Sequence, residues 1–293
     1  MHGMKNQDSV TGVVSSQLID HTTPICPDNA DDLPPFEPSL RVLVAEDNYL
    51  NQFVVRKTLE SWNVQVTVAE NGRLAVEAAQ AAPFDIVLMD VQMPEMDGYE
   101  ASRQLRAYFP DKQTLPIIGL TASTLPEEHA LALEAGMNDA LAKPFKPALL
   151  HARLAYYTGR SDGAKSGHFT PPRQPSDLAI TSKLDWTLLE ELAGTNRTFI
   201  SQCVHTILQQ VPLLLNELSA AASANNRQAL ALTAHKLKGQ VAYVGATNLF
   251  EQIEIVEEQA RKPELNVDYT PMISALATHW QRLIPQLEAR LNA

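Results

Sequence analysis

Between residues 40 and 157 the chain alternates five times between a short apolar run and a longer stretch of helical periodicity, and no other feature narrows its fold so far. The apolar runs are RVLVA (41–45), VQVTVA (64–69), DIVLM (85–89), LPIIGL (115–120) and a weaker DALA (139–142). Helix-like stretches follow at 49–61, 72–81, 98–108, 126–135 and 147–157. Strand–helix alternation of this kind gives a parallel sheet with helices on both faces. Runs that are apolar at almost every position suit strands covered on both sides. The expectation is an α/β doubly wound, five-stranded parallel sheet over 40–158.

The second half reads differently. Residues 159–182 are rich in Gly and Pro and read as an interdomain linker. After them no strand pattern returns. Helix-like segments run at about 184–193, 196–222, 226–244, 246–261 and 268–291. Amphipathic helices with short connections imply an all-α antiparallel bundle, here a four-helix bundle over 183–293. Pro212 falls inside the second segment and is expected to bend it. Gly245 suits a helix stop, and Asn225, Asn226 and Gln228 read as turn and capping residues. Residues 1–39 are polar and carry Pro24, Pro27, Pro34, Pro35 and Pro38, so they read as a disordered tail.

Composition removes several classes. With 293 residues the chain can form two domains that each bury a core without staples. Its two cysteines, Cys26 and Cys203, are too far apart for metal-ligand spacing and suggest neither a zinc site nor a disulfide framework. The net charge of -11 argues against a nucleic-acid partner. No apolar run approaches the roughly 20 residues that span a bilayer, and no signal peptide opens the chain. Membrane insertion is therefore not expected, and a cytoplasmic location is.

In an open parallel sheet, ligands bind beyond the carboxyl ends of the strands. Glu46 and Asp47 follow the first run, Asp90 the third, Thr121 the fourth and Lys143 the fifth. Three acids, a hydroxyl and a lysine thus converge on one edge from four strands. An acid at a strand end is usually a solvated loop residue, and a lone Lys usually a surface charge; the convergence is what points to chemistry. Crowded carboxylates repel unless a cation sits among them, and oxygen-only ligands fit Mg²⁺. A carboxylate so placed is a nucleophile able to form an aspartyl phosphate. Lys143 would neutralise the phosphoryl oxygens and Thr121 would donate to them.

RVLVAEDN, VLMDVQMPEMDG, GLTAS and AKPF resemble the signatures of response-regulator receiver domains, in order, over roughly residues 40–157. The resemblance implies a flavodoxin-like receiver fold, Mg²⁺ held by Glu46, Asp47, Asp90 and the backbone carbonyl of Gln92, and Asp90 as phosphoacceptor. It also implies contacts from Thr121 and Lys143 to the phosphoryl group. One departure is Ala140, which stands where many receivers carry an aromatic switch residue.

Residues 230–245 read LALTAHKLKGQVAYVG. At helical spacing Leu230, Leu237, Val241 and Val244 form one stripe, with His235, Gly239 and Ala242 roughly opposite. His235 is therefore expected outside the core, beside a glycine that leaves room for a docking partner. A neutral imidazole nitrogen can attack an acyl phosphate, and Lys236 and Lys238 can hold phosphoryl oxygens as point charges. AHKLKG resembles the phosphoacceptor motif of histidine-containing phosphotransfer (HPt) domains, over about 184–292. The two resemblances together imply the receiver and HPt portion of a phosphorelay, as in the C-terminal part of hybrid sensor kinases.

The order so implied runs from a sensor histidine kinase to Asp90, to His235, and on to a downstream response regulator. No glycine-rich ATP loop is present, so no stand-alone kinase activity is expected. Rival readings are a phosphate sink, a docking module without chemistry, and a Mg²⁺-dependent aspartyl-phosphate hydrolase. The hydrolase lacks its usual second acid, because Gln92 stands two residues after Asp90.

Overall fold

The structure, a computed structural model, describes residues 29–122, 125–160, 184–262 and 267–292. The expected tail over 1–28 and nearly all of the linker over 159–182 lie outside the described residues.

Ten elements alternate through the first half: β1 (Leu40–Ala45), α1 (Tyr49–Ser61), β2 (Val64–Ala69), α2 (Gly72–Ala81), β3 (Ile86–Asp90), α3 (Gly98–Tyr108), β4 (Ile117–Thr121), α4 (Pro126–Glu134), β5 (Asp139–Ala142) and α5 (Pro147–Tyr157). All strand pairs are parallel, in the order β2-β1-β3-β4-β5. Alternate strand residues feed opposite cores, as the two-residue period requires. Val42, Val44, Ile86 and Leu88 pack with Val55, Leu59, Leu150 and Leu154 of α1 and α5. Leu43, Val87, Met89 and Ile117 pack with Ala75, Ala101, Leu105 and Ala132 of α2, α3 and α4. Side chains of Asn48, Asn71 and Asp97 cap α1, α2 and α3 by accepting from backbone N–H groups of the first turn.

The chain order reverses between β1 and β3, which opens the ligand crevice at their carboxyl ends. Gly98 is needed there. A Cβ on it would lie 2.1 Å from the Asp90 carbonyl oxygen, so only glycine lets α3 start across the end of β3.

Residues 29–39 depart from the disordered tail expected of them. They carry a 3-10 turn at Ala30–Asp32 and bury Ala30, Leu33 and Phe36. Trp62 Nε1 donates to the Ala30 carbonyl at 2.8 Å, and the Phe36 ring stacks on His151 at 4.5 Å. Three apolar residues among prolines suffice to cover the Trp62 end of the sheet.

The second half is helical: α6 (Thr187–Ala193), α7 (Arg197–Ser223), α8 (Arg227–Ala242), α9 (Thr247–Arg261) and α10 (Thr270–Leu291). Helices α7 to α10 form the bundle, with α8 against α7 and α9, and α10 against α7 and α9. Asn226 caps α8, accepting from Ala229 N–H at 3.1 Å. Helix α7 continues unbroken through Pro212. Among the described residues no helix is long and apolar enough to cross a membrane.

The halves are joined by more than the linker. Leu50 and Val54 of α1 are buried in the bundle's own core cluster. Phe53 stacks on Phe199 of α7 with ring centroids 5.6 Å apart. Full burial of an aliphatic side chain contributes about 1.5–3 kcal/mol, so α1 binds its second neighbour substantially. At the far end Asp31 Oδ2 accepts from the Thr195 backbone N–H at 2.7 Å and its hydroxyl at 2.8 Å.

Candidate functional site

Strand ends deliver the carboxylates. Glu46 and Asp47 leave β1, Asp90 ends β3, and one oxygen from each lies within 4.8 Å of the others. Glu46 Oε1 accepts from Asn48 N–H (3.1 Å) and Asn51 Nδ2 (3.0 Å), which fixes its direction. Asp90 Oδ1 accepts from the Gln92 backbone N–H at 3.1 Å. Lys143, after β5, donates to Asp90 Oδ2 at 2.7 Å and Glu46 Oε2 at 3.0 Å.

Burial dominates the electrostatics. Removal from water, then the Glu46 charge, pushes the Asp90 carboxyl well above the usual carboxylate range, against the pull of Lys143. Burial likewise raises Asp47, opposed by Lys236. Burial works to lower Lys143, yet Asp90 and Glu46 hold it above the ordinary lysine value. Desolvated carboxylates pressed together, with oxygen the only donor type, fit a hard divalent cation.

Thr121 sits at the end of β4, but its hydroxyl donates to Glu128 of α4. Ala140 lies in β5 beside Gly119 of β4, so no aromatic ring occupies that position. The Gln92 side chain accepts from Arg261 of α9, and no acid stands in its place.

His235 corrects an expectation. It lies off the apolar stripe of α8, as its spacing requires, yet it is only 6% exposed. The first half of the chain covers it. His235, Lys238, Gly239 and Asn51 line one small cavity together with Lys143 and Pro144. Gly239 faces the Asn51 side chain, whose amide would lie 3.5 Å from an added Cβ.

Around the imidazole the structure adds residues that periodicity did not reveal. His235 Nδ1 is 3.1 Å from Glu257 Oε1 on α9. Burial works to raise Glu257, but His235 and Lys238 hold it down at about 2, so it is a carboxylate. Burial lowers His235 despite Glu257, with Lys143 and Lys238 adding repulsion, so the ring is neutral near pH 7. A carboxylate partner draws the ring proton to Nδ1 and leaves the Nε2 lone pair free. Arg261 also bonds Glu257. Lys238 pairs with Glu257 at 2.8 Å and Glu254 at 3.3 Å. Lys236 reaches across to Asp47 at 2.8 Å. An acid on α9 could be seen in the sequence, but nothing there shows that it faces His235.

Comparisons with known proteins divide the chain at the same place. Residues 42–155 match the response regulator receiver domain family, and residues 202–290 match the Hpt domain family. The signal transduction histidine-protein kinase BarA of Escherichia coli (strain K12) is 30% identical over 238 residues, covering 81% of this chain and 26% of BarA. The aerobic respiration control sensor protein ArcB of Escherichia coli O157:H7 is 31% identical over 238 residues, covering 80% of this chain and 29% of ArcB. The chain thus spans between a quarter and a third of the length of these curated relatives. Among solved structures, the receiver domain of sensor histidine kinase PA1611 from Pseudomonas aeruginosa PAO1, with a magnesium ion in its active-site cleft, is 41% identical. It matches 41% of this chain and 98% of its own, with a TM-score of 0.39.

Proposed function

The chain belongs to the two-component proteins that join a response regulator receiver domain to an Hpt domain, and from that premise we propose that it relays a phosphoryl group between Asp90 and His235. The observation that carries this reading is the shared cleft. His235 and the lysine that grips Asp90 line the same cavity between the two domains.

The receiver accepts a phosphoryl group from the phosphohistidine of a sensor histidine kinase. An Asp90 carboxylate oxygen bonds to phosphorus as the phosphorus–nitrogen bond breaks, and the electron pair leaves with the kinase imidazole, which departs neutral because its other ring nitrogen already carries a proton. Lys143 neutralises the phosphoryl oxygens, and Thr121 turns from Glu128 to donate to them. Glu46, Asp47, Asp90 and the Gln92 carbonyl would hold Mg²⁺, which when bound would supply further positive charge there.

His235 then attacks with Nε2 while Glu257 holds the Nδ1 proton and steadies the positive charge on the ring. The Asp90 oxygen–phosphorus bond breaks as the nitrogen–phosphorus bond forms. Acyl phosphate and phosphohistidine have similar transfer potential, so the exchange is reversible. The phosphohistidine passes its group to an aspartate of a downstream response regulator. Arg261, bonded to both Glu257 and Gln92, ties the imidazole's partner to the loop after Asp90 and acts as a positioning residue.

The test is uptake of labelled phosphate from a phosphorylated sensor kinase with Mg²⁺. The wild-type chain gives label on both residues, His235→Gln keeps label on Asp90 alone, and Asp90→Asn loses both. Label on His235 in Asp90→Asn would contradict the order.

A further inference from the structure

Asp47 is held by a charge from the other domain. Its Oδ2 is 2.8 Å from Lys236 Nζ on α8, and its side chain is only 4% exposed. Two more bonds fix the same turn of α8 over the loop: Asn48 Nδ2 donates to the Lys236 carbonyl at 3.2 Å, and Gln240 Nε2 to Asn48 Oδ1 at 3.5 Å. Lys143 meanwhile pairs with Glu46 at 3.0 Å and Asp90 at 2.7 Å. Three crowded carboxylates are thus offset by two ammonium groups, one from each domain, and the second is present only while the domains are docked.

We infer that Lys236 stands in for a divalent cation at Asp47, so that metal binding and interdomain docking compete for this carboxylate. A cation entering the cluster meets the Lys236 charge at close range in a poorly solvated site, where Coulomb repulsion is strong. It must share Asp47 or displace Lys236. Linkage makes the effect reciprocal: docking weakens metal binding, and metal loosens docking by the same factor. The device gives the receiver a closed, metal-poor form in which His235 is covered, and a metal-loaded form in which Lys236 is free of Asp47 and His235 can meet either Asp90 or another partner.

The inference rests on the reading of Glu46, Asp47 and Asp90 as a metal site, and calorimetric titration of MgCl₂ into the full-length chain separates the two. The variants are Lys236→Met, Lys236→Arg and Lys57→Met; Lys57 pairs with Glu60 on the exposed face of α1 and controls for net charge. Lys236→Met is expected to bind Mg²⁺ about tenfold more tightly than wild type, within the ordinary range of site-to-site coupling. Lys236→Arg and Lys57→Met are expected to match wild type. Equal affinity in Lys236→Met and wild type overturns the competition and leaves the metal site standing, as does an equal gain in Lys57→Met. No saturable Mg²⁺ binding in any variant overturns the metal site and the inference with it.

Discussion

The Asp90 site and the His235 site meet in one cleft, but they are assembled by different rules. Glu46, Asp47, Asp90, Thr121 and Lys143 come from four strand ends that a parallel sheet forces to one edge. Backbone topology alone gathers them. His235, Glu257, Lys238 and Arg261 come from two helices, and they meet only because α8 and α9 pack at one particular rotation. The first arrangement tolerates change in surrounding side chains, whereas the second depends on them. The electrostatics differ as well. Burial sets like charges against each other around Asp90, while around His235 it sets a ring neutral near pH 7 beside a carboxylate that the ring itself and Lys238 hold charged.

Mutations can break this contrast, and the largest effects belong to the acceptors. Asp90→Asn removes the nucleophile and is expected to abolish label on both residues in a kinase-to-relay assay. Glu257→Gln comes next. It leaves His235 in place but removes a hydrogen bond to a charged group, worth about 1.5–3 kcal/mol, or roughly 10–100-fold in the Asp90-to-His235 rate. Nitrogen-detected NMR of His235 should show the Nδ1-protonated tautomer losing its dominance. Arg261→Ala should slow the same step by only about threefold, an effect of the size expected for a partly exposed ion pair, about 0.2–1 kcal/mol.

The His235 site also answers to pH through Glu257 and His235. Glu257 falls from its ordinary 4.5 to about 2, and His235 falls from its ordinary 6.5. Both are depressed, so both contribute stability at neutral pH that acid removes. The His235 share fades as pH drops below 6.5, and the Glu257 share is lost between 4.5 and about 2. For Glu257 the linked free energy is on the order of 3 kcal/mol. Urea melts of wild type should steepen in their loss of stability below pH 4.5, and Glu257→Gln should flatten that limb. Equal slopes would show that Glu257 is not held as a carboxylate.

These rules also explain what the sequence made legible. Strand ends can be counted along the chain, so Glu46, Asp47, Asp90, Thr121 and Lys143 were each assignable to the edge where the structure has them. The stripe of α8 likewise separated His235 from Leu230, Leu237 and Val241. Periodicity gives a residue's direction from its own helix, but not what lies in that direction. Glu257 and Arg261 therefore emerged only with the packing of α9, and the cover over His235 only with α1. Leu50 and Val54 look like ordinary core residues of α1, and nothing in their spacing tells that their core is the bundle's. Ala30, Leu33 and Phe36 were hidden for another reason: isolated apolar residues among prolines carry no period at all.

Exchange between Asp90 and His235 within one chain can be read from its rate as a function of protein concentration. The chain is loaded at Asp90 from a small-molecule acyl phosphate with Mg²⁺, and acid-labile phosphohistidine is followed by rapid quench. The cleft predicts a first-order rate constant that stays constant over a tenfold range of chain concentration. A rate that rises in proportion to concentration, or phosphohistidine that never forms, would contradict it.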